Sequence, residues 1–175
     1  MDKTTNDRMT VGSTSPPSTP RLRMEPSGSW RTLLDGGWWP RSTDPVAELP
    51  GLVLAIDSRH GPVTRLILSA VGWDTQPRRL RVAGRVLRLG YFASQPVSLL
   101  TALCGDRARI DLLIVAPDTD PASAEAAMLQ AATTANHLHA PQLLAGVGSG
   151  RTGTGSADRR EQDAWETEGG HLSGR

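Results

Sequence analysis

The chain is poor in several features that usually announce a function. Of its 175 residues only Cys104 is a cysteine, so no internal disulfide framework is available. A lone thiol suits a reducing compartment, and the expectation is a cytoplasmic protein. Lysine is missing beyond Lys3, which rules out the lysine-bearing phosphate loop of nucleotide hydrolases. No apolar run approaches the roughly 18 residues that cross a bilayer, and residues 1–20 hold no apolar signal core. Neither a membrane partner nor a secretory leader is expected. Hydrophobic residues make up only 38% of the chain, against 18 Gly and 13 Pro. That shortfall puts part of the chain outside any core.

Apart from Lys3 every basic residue is arginine, and with abundant Ala, Gly and Asp this is the codon usage of a G+C-rich genome. The formal net charge of +1 is too small to imply nucleic-acid binding by itself.

Composition divides the chain into three parts. Residues 1–20 are Thr, Ser, Pro and charge and read as a disordered arm. Residues 141–175 pass through a Gly-rich run and then a charged one, and read as a disordered tail with Trp165 isolated in it. Residues 21–140 remain as a single folded unit of ordinary domain size.

Within that unit, Arg21–Met24 alternates and reads as an edge strand. Trp30–Leu34 reads as a second short strand, closed by an Asp35-Gly36 turn. Ser42 to Pro45 is a helix start, after which Val46, Leu49, Leu52, Val53 and Ile56 recur at helical spacing. Pro50-Gly51 predicts a kink or short turn inside it. Beyond His60-Gly61-Pro62 the period changes to two. Val63–Ala70 is strand-like, Arg79–Val82 and Arg85–Tyr91 flank an Ala83-Gly84 turn, and Val97–Leu103 and Ala108–Val115 flank a turn at Cys104–Arg107. Asp120 as N-cap and Pro121 at the first helical position start a helix that lines up Ala124, Ala127, Met128, Ala131 and Ala135. The predicted architecture is α+β: a mostly antiparallel sheet of about six or seven strands with two helices on one face.

Candidate contact residues fall in two constellations. Trp38 and Trp39 sit beside Asp35 and Arg41, a set able to form an aromatic platform with a stacked cation. The alternative is that one ring plugs the core while the other covers a loop. Trp73 and Asp74 with Arg78 and Arg79 form the second set, either a pocket for a planar or anionic ligand or a structural Asp–Arg pair. Arg78, Arg79, Arg81, Arg85 and Arg88 make the densest charge run, which suits phosphate backbones or simply a solvated sheet face. Asp118 and Asp120 suit a helix N-terminus better than acid–base chemistry. His137 and His139 lack further ligands for a metal, His60 sits at a helix end, and Cys104 has no partner histidine. Gly148, Gly150 and Gly153 match a dinucleotide fingerprint as a string but lack its strand and helix. No catalytic residue, metal site or cofactor is expected.

The segments DGGWWPRSTDPVAELPGL, GWDTQPRRLRVAGRVLRLGYFASQ and IVAPDTDPASAEAA resemble an uncharacterised actinobacterial family of small proteins, a domain of unknown function. Its members carry a DGxWWPRS-type segment, a Trp-to-Pro-Arg-Arg hairpin and a PPDTDP-type helix start, here spread over residues 21–135. Ser94-Gln95-Pro96 departs from the slightly longer polar turn of that pattern. The resemblance implies no activity. The leading reading is a non-catalytic binding or regulatory module, with a protein partner or a small anionic ligand. The alternatives are a small-ligand pocket or enzyme of helix-grip-like form, and, third, nucleic-acid binding through the arginine hairpin.

Overall fold

The computed structural model describes residues 10–26, 32–105, 107–133 and 139–148. The expectations for Trp30, Arg31, Asp106, Ala135, His137, Gly150, Gly153 and Trp165 lie outside the described residues, and the described part of the expected Trp30–Leu34 strand, residues 32–34, is not in a strand.

Eight strands and three helices follow in the order β1 (Val11–Gly12), β2 (Leu22–Met24), β3 (Gly36–Trp38), α1 (Pro45–His60), β4 (Val63–Ser69), β5 (Arg79–Val82), β6 (Arg85–Phe92), β7 (Leu99–Cys104), β8 (Arg109–Ile114), α2 (Pro121–Ala131) and α3 (Ala140–Gly148). The strands form one mixed sheet ordered β1-β5-β6-β4-β7-β8-β3-β2. Antiparallel pairs predominate, with β1–β5, β4–β6 and β3–β8 parallel. The fold is α+β.

Both predicted hairpins form. Ala83 and Gly84 take φ of 48° and 77°, the left-handed pair that a two-residue hairpin turn requires. In β5, Leu80 and Val82 are buried while Arg79 and Arg81 face solvent, as the period of two demands. β8 is paired on both sides, which accounts for its nearly continuous apolar run.

Three expectations are corrected. First, Asp35-Gly36 is not a turn. Gly36–Trp38 is itself a strand, between β2 and β8. The glycines are there for close approach rather than for bending: a Cβ on Gly36 would lie 2.2 Å from the Arg23 carbonyl oxygen, and one on Gly37 would lie 2.7 Å from Met128 Cα in α2. Second, Pro50 does not interrupt α1, which runs unbroken for 16 residues. Proline removes one helical hydrogen bond, but Leu49, Leu52, Val53 and Ile56 are all fully buried, and their packing outweighs that loss. The Asp44 carboxylate caps the helix by accepting from the Val46 N–H at 2.9 Å.

Third, the helices do not share a face. Leu112 and Ile114 point into a core with Trp38 and the apolar stripe of α1. Leu113 and Val115 point the other way, into a second core with Trp39, Ala124, Ala127, Met128 and Leu143. α1 therefore covers one side of the sheet, and α2 with α3 covers the other. Small residues on α2 and a bare Gly37 let that helix lie directly on the strands.

Two elements fall in segments that composition alone gave to the arm and the tail. Val11 and Gly12 pair with Leu80 and Arg81, and Ser18 presses its carbonyl against α1, where a Cβ on Gly51 would lie 2.0 Å from it. α3 buries Ala140 and Leu143.

Candidate functional site

β3, β4, β6 and β8 all run in one direction, so their carboxyl ends open on the same edge of the sheet. The connections that leave those ends are rich in proline and tryptophan. They converge on a cleft of about 810 Å³ lined by Pro40, Ser42, Thr43, Gly72, Trp73, Pro96, Val97, Ser98, Ile114, Ala116, Pro117, Asp118, Pro141 and Leu144. Crevices at the carboxyl ends of strands are where open sheets commonly take ligands. This one has the size of a pocket for a small organic molecule.

Its walls are fixed from behind. Trp73 stacks on Trp38, with ring centroids 6.3 Å apart and planes 20° from parallel. Trp38 is 1% exposed and packs against α1, so the core itself supports the Trp73 ring. Thr43 Oγ1 donates to Asp74 Oδ1 at 2.8 Å, and the Asp74 N–H donates to the Thr43 carbonyl at 3.0 Å. These bonds tie the loop carrying Trp73 to the start of α1.

On the opposite wall, Trp39 Nε1 donates to the Ala116 carbonyl at 3.1 Å. That bond satisfies the one polar atom of a buried indole and anchors the connection from β8 to α2. Glu48, buried in the first turns of α1, accepts from the Arg41 N–H at 3.1 Å and from Ser42 Oγ at 2.9 Å. The connection from β3 to α1 is thus held by main-chain and side-chain bonds along its length.

The predicted contact residues are distributed unevenly. Trp38 and Trp39 are both buried, at 1% and 8% exposure, and present almost no surface to a partner. The cation over Trp39 is Arg21, 3.5 Å from the ring centroid, and not Arg41. Arg41 instead donates through Nη1 to the Thr19 carbonyl at 2.9 Å. Of the eight candidates only Trp73 lines the cleft. Asp74 bonds to Thr43 rather than to an arginine. Arg78 and Arg79 lie on a separate groove with Arg65, Arg88 and Phe92. Sequence reasoning missed Pro96, Val97, Ala116, Pro117, Pro141 and Leu144, because only the folded connections bring them together.

Asp35 lies at the far end of β3. Its N–H donates to the Asp111 carbonyl, and its carboxylate accepts from the Asp111 N–H, both at 2.8 Å. Burial pushes this carboxyl above its ordinary 3.8, against the opposing pull of the Asp111 hydrogen bond. The folded state therefore holds the proton more tightly than the unfolded chain does. Stability falls as pH rises from about 3.8 through the raised value, and the penalty is fully present above it. An amide oxygen still accepts from Asp111 but carries no charge to desolvate. Asp35→Asn is expected to be at least as stable as the parent at pH 7, with the difference vanishing below pH 4. Urea unfolding at the two pH values checks this, and a loss above about 1 kcal/mol at pH 7 would show that the charge itself is needed.

Among the described residues, no group of three or more His, Cys, Asp or Glu is placed to hold a metal ion. Cys104 is buried. No described helix is long and apolar enough to cross a membrane.

The chain belongs to a family of unknown function, DUF5994, which it matches over residues 21–131. That span runs from the residue before β2 to the last residue of α2, and leaves β1 and α3 outside. Neither the curated proteins nor the solved structures give a match.

Proposed function

We propose that the protein is a binding module that takes a small, mainly apolar molecule in the cleft beside Trp73. The observation that carries this reading is the lining. Four prolines, Trp73, Val97, Ile114 and Leu144 supply a rigid apolar wall, and the only charged group on it is Asp118. Rigid walls reduce the ordering cost of binding. With no basic residue on the lining, a neutral or cationic ligand is favoured over the anionic one suggested by the arginine content.

The lining holds no Ser–His or Cys–His combination and no metal-ligating cluster, which supports binding without chemistry. Ser42, Thr43 and Ser98 provide hydroxyls that would orient a polar end of the ligand. The arginine-dominated basic residues and the Trp-Trp-Pro-Arg-Ser segment support an actinobacterial origin. The lone buried Cys104 supports a cytoplasmic location.

The test uses Nile red, a neutral planar dye. Saturable binding is expected, and Val97→Arg should weaken it about tenfold or more by placing a charge on the apolar wall. Val97 is 54% exposed, so the variant keeps the unfolding midpoint of the parent. Equal binding by parent and variant would contradict the reading.

A further inference from the structure

On the α2 and α3 side of the sheet, α2 packs on β2, β3 and β8, and the part of that side left open over β5, β6, β4 and β7 is basic. Register places Arg79 opposite Arg88, Arg88 opposite Arg65, Arg65 opposite Leu103, and Leu103 opposite Arg109. Partners in register share a face, so these side chains form one row across five strands. At about 4.8 Å per strand the row spans roughly 19 Å.

Arg65, Arg79, Arg88 and Arg109 are all exposed. Among the described residues only Arg109 of the four has an ion pair, with Asp111 at 2.9 Å. The other three stand side by side on adjacent strands with no counter-charge among the described residues, an arrangement that repels itself. Arg85, although part of the same run in sequence, points to the other face and pairs with Asp57 of α1.

Phe92 completes the surface. It shares the face of Arg88, because positions 88, 90 and 92 of β6 alternate together. Its ring rests on Gly90, where a Cβ would lie 2.9 Å from Cε2, and it is still 50% exposed. The ring lies against bare backbone and still leaves room for a base to stack. Phe92, Arg65, Arg78, Arg79 and Arg88 together line a groove of about 390 Å³.

We infer that this face binds single-stranded nucleic acid, with phosphates along the Arg79–Arg88–Arg65 row and a base stacked on Phe92. Exposed guanidiniums meet phosphate oxygens through paired N–H donors. An exposed aromatic beside a basic groove is the combination that sequence-tolerant single-strand binding uses. The row continues past the groove to Arg109, which fits a chain of phosphates better than a lone nucleotide. The surface shares no residue with the cleft beside Trp73, so either reading stands if the other fails.

Fluorescence anisotropy of a labelled dT12 oligonucleotide with the full chain tests it. If four phosphates are neutralised, raising salt from 50 to 200 mM should weaken binding about 50-fold. Arg88→Glu, at the centre of the row, should weaken it at least tenfold with an unchanged unfolding midpoint, and the double variant Arg65→Gln/Arg79→Gln should act similarly. Phe92→Ala should lower oligonucleotide affinity about fivefold or more while leaving inorganic polyphosphate binding unchanged. No binding at 50 mM salt, or binding that these arginine variants leave intact, would overturn the inference. Equal affinity for duplex DNA, or an unaffected Phe92→Ala variant, would overturn the assignment to single strands.

Discussion

Replacing Trp38 by alanine is expected to cost about 3–5 kcal/mol of folding stability, the range for removing a large buried aromatic. Trp38 is 1% exposed and is the largest of the fully buried side chains. It joins the α1 stripe to the apolar positions of β8, so its loss opens a void where helix and sheet meet. The cost also reaches the cleft, because Trp73 rests on the Trp38 ring. Trp38→Ala should therefore lose Nile red binding even under conditions where it remains folded. Trp38→Phe keeps an aromatic support and should retain most of both properties. Chemical unfolding paired with dye titration separates the two effects. A variant that loses stability but binds the dye normally would show that Trp73 is held by its own loop.

Gly37→Ala is expected to be clearly destabilising too, although it adds a single methyl group. The added Cβ would meet Met128 Cα at 2.7 Å, and Met128 Cγ and Cβ at 3.1 and 3.2 Å. A side chain alone could turn aside, but Cα belongs to the helix, so α2 itself must move off the sheet. Overpacking of this kind costs about 1–3 kcal/mol. The displacement carries α3 with it, since α2 and α3 share one core with Trp39. Pro141 and Leu144 of α3 then shift away from the cleft. Gly12→Ala is the control: its Cβ would find only Arg81 Cβ, at an ordinary 3.5 Å, and its effect should stay within about 0.5 kcal/mol. If Gly37→Ala unfolds at the same denaturant concentration as the control, α2 does not sit on β3 as described.

Local chemistry made some of this structure legible in the sequence. The Ala83-Gly84 turn, the alternation of Arg79–Val82 and the Asp120-Pro121 helix start each carry their own conformational preference, and each forms where expected. The misreadings share a cause, which is that long-range packing overrode a local signal. Asp35-Gly36-Gly37 has turn composition, yet Gly36 and Gly37 lie in a strand because their neighbours need backbone without side chains. Pro50 is a helix breaker that the burial of Leu49, Leu52 and Val53 overrules. The placement of α1 and α2 on opposite faces follows from the alternation of Leu112 and Leu113, but only once β8 is known to be interior. α3 did have a signal, since Ala140, Leu143, Leu144 and Val147 recur at helical spacing, but the glycines after it gave the segment the look of a tail.

The candidate site was less legible than the fold. Trp38 and Trp39 drew attention as rare, large and adjacent, and both are structural. Their rarity marks the point where one strand feeds both cores, with one indole directed to each side of the sheet. The cleft is built largely from prolines and small residues of four separate connections and α3, none of which stands out singly. The arginine row is a similar case. The sequence shows Arg79, Arg81 and Arg88 as part of one run, but the register adds Arg65 from another strand and removes Arg85.

Methyl NMR of the Ile-, Leu- and Val-labelled protein, titrated with Nile red, tests the cleft most directly. Binding beside Trp73 predicts progressive, saturable shifts of the Ile114, Val97 and Leu144 methyls, while Leu80, Leu87 and Val82 in the distant part of the α1 core stay unmoved. Shifts confined to Val86 and Leu103 on the arginine face, or no saturable shift anywhere, would contradict it.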